Sequence, residues 1–298
     1  MKLRELEYLL AVAETGHFGQ AAEKCFVSQP TLSAGIKKLE QELEIVLFER
    51  DNRSVTLTPA GVDVRSMAKS IMHKVDEIND YANYHKDPFA GQFKMAAIPT
   101  IAPYFFPLVM ENLKQELPKL EWRLYEYQTE NLLQALRDGD TDIGLLATRE
   151  SHKHFVQVPL FSEDFVLVMA KGHALKGKRN LRSADLEHAK MLLLSEGHCL
   201  RDQALDVCTS KGIAASDDYK ATSLETLRQM VVAGAGVTLL PQLALREAHQ
   251  RTGLDLRIMP KPKPRRTVYL TWRRNFYRLP LIGKITECLQ QRVEDLKL

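Results

Sequence analysis

With 298 residues, 45% of them hydrophobic and 27% charged, the chain is long enough for two or more domains and has the composition of a soluble globular protein. Four cysteines in that length make a poor disulfide framework and suit a reducing compartment, which excludes a small disulfide-stapled scaffold. A net charge of +3 identifies no partner, and residues 1–60 hold more carboxylates than Lys and Arg, so charge alone announces no nucleic-acid domain.

The opening Met1-Lys2-Leu3-Arg4-Glu5-Leu6-Glu7 is charged and has no signal-peptide core. No uncharged apolar run approaches the ~18 residues of a membrane span, so the expected location is cytoplasmic, with no membrane partner. Leu3, Leu6, Leu9, Leu10, Val12 and Ala13 follow helical spacing up to Gly16. Residues 18–25 predict a second helix, in which Ala21 and Ala22 permit close approach of a neighbour. Ser28 then offers an N-cap, and Pro30 sits in the first turn of a third helix. A tight turn and an N-capped helix exposing Gln29, Thr31, Ser33 and Lys37 match a helix-turn-helix; the plainer alternative is a helical hairpin with a solvated face. Residues 47–50 and 55–58 flank a polar turn and predict a wing, with Arg53 near its tip. Ser28, Gln29, Pro30, Thr31 and Ser33 are candidate base readers, Gln29 for adenine and Pro30 or Thr31 for a thymine methyl. Lys37, Arg50 and Arg53 are candidates for phosphate or minor-groove contacts, and Arg50 equally for an internal salt bridge.

Thr58 caps and Pro59 begins a long helix to about Lys86. Its seam of Val64, Met67 or Ala68, Ile71, Val75, Ile78 and Ala82 predicts a partner helix, hence a dimer. Residues 87–91 mark a boundary, after which strands at 93–98, 122–127 and 142–147 alternate with helices at 104–116 and 131–137, the pattern of parallel α/β. Apolar runs follow at 165–170 and 191–194. Thr222-Ser223-Leu224-Glu225 offers a capping box before a helix at 227–233. Strands are expected at 237–240 and 268–272, and a closing helix at 282–296.

Cys199 and Cys208 stand nine positions apart. A helix beginning near Cys199 would carry them on opposite faces, ~13 Å apart along its axis, whereas a disulfide needs Cα atoms within ~7 Å. A bond between them would require the segment to leave the helix, the logic of a redox switch; the plainer alternative is two small buried hydrophobes. Cys25 and Cys288 have no cysteine near in sequence and read as structural. No Cys-x-x-Cys or His-x-x-x-His accompanies His198 and the cysteine pair, so no metal is expected. Gly234-x-Gly236 lacks a third glycine and precedes a strand, and no nucleophile elbow or phosphate loop occurs, so no cofactor is indicated. The basic run 261–266, Arg266 excepted, reads as a solvated crossover strand rather than a second DNA contact. Thr100 and Thr129 follow the first two α/β strands, at carboxyl ends where such folds place ligands; the plainer role for each is a helix N-cap.

Leu6-Glu7-Tyr8-Leu9, Ala21-Ala22, Val27-Ser28-Gln29-Pro30-Thr31-Leu32-Ser33, Leu47-Phe48-Glu49-Arg50 and Thr58-Pro59-Ala60-Gly61 resemble the LysR-type transcriptional regulators, and the resemblance covers essentially the whole chain. Gly197-His198-Cys199-Leu200-Arg201-Asp202-Gln203-Ala204, Cys208 and residues 221–227 resemble that family's hydrogen-peroxide-sensing branch. The resemblance implies a winged helix-turn-helix at 1–58, a linker and dimerisation helix at 59–87, and an α/β regulatory domain at 88–298. That domain would have two Rossmann-like lobes, as in type II periplasmic binding proteins, at 88–161 with 267–298 and at 162–266, with crossings near 159–163 and 263–267.

It further implies a regulator, not an enzyme: a homotetramer on double-stranded promoter DNA that works with RNA polymerase and activates antioxidant genes. Hydrogen peroxide would oxidise Cys199 to sulfenate, Cys208 would close the disulfide, and a cytosolic dithiol would reduce it. Thr100 and Thr129 would hold the peroxide with His198 alongside, in a ligand set that includes Arg201, Asp202 and Arg266. The helix start, His198, Arg201 and Arg266 would favour the thiolate. A metabolite-responsive regulator of the same family explains everything except the cysteines. Cys208 followed by Thr209-Ser210 departs from the pattern.

Overall fold

The structure is a computed structural model; it describes all residues except 52–53, 151–152, 179–184, 186–188, 211–214, 247–252, 260 and 262, and the backbone alone at 50–51, 54, 80, 83, 208–210 and 215–220. The chain divides into two compact units, Met1–Lys86 and Asp87–Leu298. Among the described residues, no helix is long and apolar enough to cross a membrane.

The first unit contains α1 (Leu3–Thr15), α2 (Phe18–Lys24), α3 (Gln29–Leu43), β1 (Phe48–Asp51), β2 (Ser54–Leu57) and α4 (Pro59–Tyr84). Ser28 caps α3 by accepting the Thr31 N–H at 3.3 Å, and Thr58 caps α4 by accepting the Gly61 N–H at 2.9 Å. An unanticipated cap, the His17 ring, accepts from Gly19 and Gln20 at the start of α2. β1 and β2 pair antiparallel with Phe48 opposite Leu57; Arg53 lies outside the described residues. Leu9, Val12, Ala21, Leu32, Ile36 and Leu39 form the core. The predicted seam of α4 proves to be two faces. Val64, Ala68 and Met72 pack on this core, whereas Val62, Met67, Ile71, Ile78 and Tyr81 are exposed.

The second unit contains β3 (Gly91–Ala97), α5 (Ala102–Glu116), β4 (Leu120–Glu126), α6 (Thr129–Asp138), β5 (Ile143–Leu146), β6 (Phe155–Ala170) and β7 (Met191–Leu194). There follow α7 (Cys199–Ser210), β8 (Ala215–Ala221), α8 (Leu224–Val232), β9 (Thr238–Pro241), β10 (Leu254–Ile258), β11 (Arg265–Arg273) and α9 (Leu279–Leu296). Its main sheet runs β10-β6-β11-β5-β3-β4, with β9 also on β6; β4, β3 and β5 are parallel, and β11 and β6 are antiparallel to their neighbours. β5 and the second half of β3, inside the sheet, are buried on both faces and read as apolar runs, whereas β4 at the edge is largely exposed.

Two apolar cores make two lobes. One gathers Phe93, Phe105, Leu132, Ile143, Leu270 and Ile285, the other Phe165, Leu167, Met191, Leu200, Leu227 and Leu239. The chain passes between them on β6 and β11, which form one ladder from Phe155–Arg273 to Asp164–Arg265. Sequence expects β6 only at 165–170, yet it runs unbroken for 16 residues. Pro159 is tolerated because the register shifts between Val268 and Tyr269, leaving Leu160 as the extra residue of a bulge. The polar strand β8 and the edge strand β10 are likewise additions to the sequence reading. The predicted capping box is corrected: Ser223, not Thr222, caps α8 through the Thr226 N–H at 3.1 Å, and Glu225 pairs with Arg228.

Candidate functional site

Gly197 turns the chain into α7 with φ +88°, where a Cβ would lie 2.8 Å from Gln128 Oε1, so both conformation and space call for glycine. Cys199, the first residue of α7, is 7% exposed and packs in the core of the first lobe, while Leu200, Ala204 and Val207 of the same helix pack in the second. Gln203 Nε2 donates to the Ala147 carbonyl at 2.8 Å, a second tie from α7 to the first lobe. The cysteine therefore sits where one helix holds two lobes together. Both cysteines lie on α7, so ~13 Å of helix axis separates them and no disulfide can form while the helix stands; the Cys208 side chain lies outside the described residues.

The thiol is surrounded from distant parts of the chain. Thr129, the first residue of α6, is buried, and among the described residues its hydroxyl has no hydrogen-bond partner. It interacts with the Cys199 thiol in the direction that lowers the thiol pKa, but completes no bond of ordinary geometry. Arg266 on β11 is fully buried and held at both ends. Its Nε and Nη2 meet Glu163 Oε1 at 2.9 and 2.8 Å, while Nη1 and Nη2 donate to Thr100 Oγ1 and O at 2.8 and 3.1 Å. Glu163 also accepts the Leu243 N–H at 2.6 Å. Neither threonine is a helix cap: Ile101 precedes α5 and Gln128 precedes α6, and neither caps through its side chain.

Burial pushes the Cys199 thiol above its ordinary value, and Arg266 and Thr129 pull it back only in part. The thiol pKa thus runs against the expected direction, although Arg266 and the Leu200 backbone at the helix start favour the thiolate as expected. The expected help from His198 and Arg201 is corrected. Burial lowers the His198 pKa and favours the neutral ring, which lies 3.4 Å from Gln128 Nε2. Arg201 is turned toward Glu196 and Asp202, each at 3.8 Å, and Asp202 is exposed and raises the thiol pKa.

Beside this cluster, a cleft of about 400 Å³ opens between the lobes, lined by Tyr104, Tyr127, Gln128 and Asn131 from one side and by His198 and Glu225 from the other. Thus Cys199, Thr129, Arg266 and Thr100 are brought together, His198 faces the cleft, Arg201 is half-buried and turned away, and Asp202 lies at the surface. Sequence reasoning misses Glu163, Gln128 and Gln203. Glu163 had a signal, since it shares a two-residue alternation with Phe161, Phe165 and Leu167 and so falls on a buried strand face.

In the first unit, Ser28, Gln29, Pro30, Thr31 and Lys37 are exposed along the start of α3, and Ser33 is half-buried. The Ser28 and Thr31 hydroxyls meet at 2.8 Å, so Ser28 serves the cap as well as any ligand. The Arg50 side chain lies outside the described residues. Phe26, in the turn before α3, is 94% exposed with φ 56°.

Residues 3–62 match the family described as bacterial regulatory helix-turn-helix protein, lysR family, and residues 86–294 match the LysR substrate binding domain. The chain is 42% identical over 273 residues to the DNA-binding transcriptional dual regulator OxyR of Escherichia coli K12, covering 92% of this chain and 90% of that protein. It is similar to the structure of a full-length OxyR mutant from Pseudomonas aeruginosa, with TM-score 0.75, 36% identity and coverage of 97% and 95%. A hydrogen-peroxide-bound OxyR mutant from Corynebacterium glutamicum is also similar, with TM-score 0.67, 33% identity and coverage of 99% and 93%.

Proposed function

The chain belongs to the LysR family of bacterial regulators, and from that membership we propose that it binds promoter DNA and senses hydrogen peroxide through Cys199. The observation that carries this is the placement of a buried cysteine at the start of α7, beside Thr129 and Arg266, on a helix anchored in both lobes. Peroxide enters from the cleft and is oriented by the buried hydroxyl of Thr129 and by Thr100, with His198 at the mouth. The Cys199 sulfur attacks one peroxide oxygen as its proton leaves; the S–O bond forms as the O–O bond breaks, and the departing hydroxide takes up that same proton as water. Arg266 stabilises the negative charge while it lasts.

The sulfenate oxygen cannot share the apolar pocket that held the thiol, so α7 loses its hold on the first lobe. Cys208 sulfur then attacks the Cys199 sulfur, the S–S bond forms, and the sulfenate oxygen leaves as water. A dithiol reverses the bond by exchange. The sensor consumes one peroxide and stops until reduced, as a cytoplasmic regulator and not an enzyme. Pairing through the exposed face of α4, assembly into a tetramer, and contact with RNA polymerase complete the scheme.

Peptide mass spectrometry after one equivalent of hydrogen peroxide tests it. A rapid Cys199–Cys208 bridge, reversed by dithiol and absent in Cys199→Ser, is expected; both thiols remaining free would refute it. The cleft favours a second reading, a small metabolite held between Tyr127, Asn131 and Glu225, for which DNA binding would respond to ligand equally in Cys199→Ser.

A further inference from the structure

We infer that Glu163 is a positioning residue that sets the threshold of the sensor, by fixing Arg266 against Thr100 while offsetting the guanidinium charge that the Cys199 thiolate would otherwise feel in full. The inference deepens the role proposed for Cys199. Glu163 and Arg266 are directly opposed on β6 and β11, with side chains 4% and 0% exposed. A buried guanidinium without a carboxylate would attract a nearby thiolate strongly, because the surroundings screen little. Here Glu163 Oε1 binds both Nε and Nη2, and its second oxygen is fixed by the Leu243 N–H, so the carboxylate cannot swing away.

Other groups facing Cys199 do not replace it. Arg266 is the cation from β11, and Thr129 from α6 is uncharged. Asp202 on α7 opposes the thiolate from the surface, where it is paired with Arg201, and Glu196 pairs with the same arginine. Burial keeps His198 toward its neutral form, and Tyr104 of α5 is held protonated by burial. Glu163→Gln keeps a side-chain oxygen to accept from the guanidinium and two bonds to Thr100 hold the other end, so it removes the charge without removing the hold on Arg266.

The test is the pH profile of Cys199 alkylation by iodoacetamide, followed by mass spectrometry on full-length wild type, Glu163→Gln and Glu163→Asp. Glu163→Gln should move the profile to lower pH and raise the rate at neutral pH by ~3–10-fold, since one unit of pKa is tenfold in thiolate. Glu163→Asp, which restores the charge, should return the profile toward wild type. An unchanged profile in Glu163→Gln, or an equal shift in Glu163→Asp, would overturn the inference. Should Glu163→Gln fail to fold, Arg266→Met/Glu163→Leu removes both charges, and its profile should lie near wild type; an upward shift as large as that of Arg266→Met alone would overturn it. Alkylation reads the thiol whether or not peroxide reacts, so failure of the sensor role appears separately, as peroxide inertness of a thiol whose profile still shifts.

Discussion

The starts of α3 and α7 use the same terminus of a helix in opposite ways. At α3, Ser28 caps the helix and its neighbours Gln29, Pro30 and Thr31 stand in solvent, assembled from adjacent residues alone. At α7, Cys199 is buried, and its surroundings come from β3–α5, α6, β6 and β11, up to 166 residues apart along the chain. A surface that must meet a large partner can be built locally and left open. A thiol that must stay quiet until a small oxidant arrives needs an enclosure, which only tertiary structure supplies. The two should therefore fail differently when altered.

The largest difference is expected from charge pairs. Arg266→Ala leaves the Glu163 carboxylate buried and unpaired, and should cost about 3–5 kcal/mol in urea unfolding of the second unit. Lys24→Ala breaks the exposed Lys24–Glu14 pair of the first unit and should cost less than about 1 kcal/mol. Equal losses would mean that the burial contrast is not what separates the regions. The next effect is at α3, where Gln29→Ala should lose about 1–3 kcal/mol of discrimination at a single base position, measured by binding to operator variants. Lys37→Ala should instead weaken binding to all sequences alike and reduce the salt slope by about 1.

How much was legible in sequence follows the same contrast. The caps Ser28 and Thr58, the wing strands and most second-unit elements follow from short-range spacing, because caps and periodicity act over a few residues. The Cys199 helix was legible as well, but the state of its thiol was not, since burial outweighs the helix start and Arg266 and no local pattern reports burial. The resemblance supplied Thr100, Thr129 and Arg266 as a set. Glu163 escaped because β6 continues through a proline that reads as a break, and its partnership with Arg266 depends on a register set by a bulge.

Phe26 sharpens the comparison from the open side. It occupies the position after α2 where a left-handed residue is needed, and a side chain there is strained, with no burial in return. Phe26→Gly should stabilise the first unit by about 1 kcal/mol in thermal or urea unfolding. No gain in stability would show that the ring makes a compensating contact.

The smallest expected effect is a pH dependence that belongs to the enclosed side alone. Burial holds the folded His198 below its unfolded value of ~6.5, so on acidification the unfolded chain takes up the proton first. The stability that neutral His198 contributes is complete above that value and is lost as pH falls below it toward the folded pKa. Urea midpoints at pH 7.5 and pH 5.5 should therefore fall further in wild type than in His198→Gln, which keeps a polar group facing Gln128 but has nothing to protonate. Because the ring also closes one side of the cleft, the same acid window should loosen α7 from the first lobe and make Cys199 easier to alkylate than its protonation state alone predicts. Parallel falls in both proteins would place the acid sensitivity elsewhere and leave His198 as packing only.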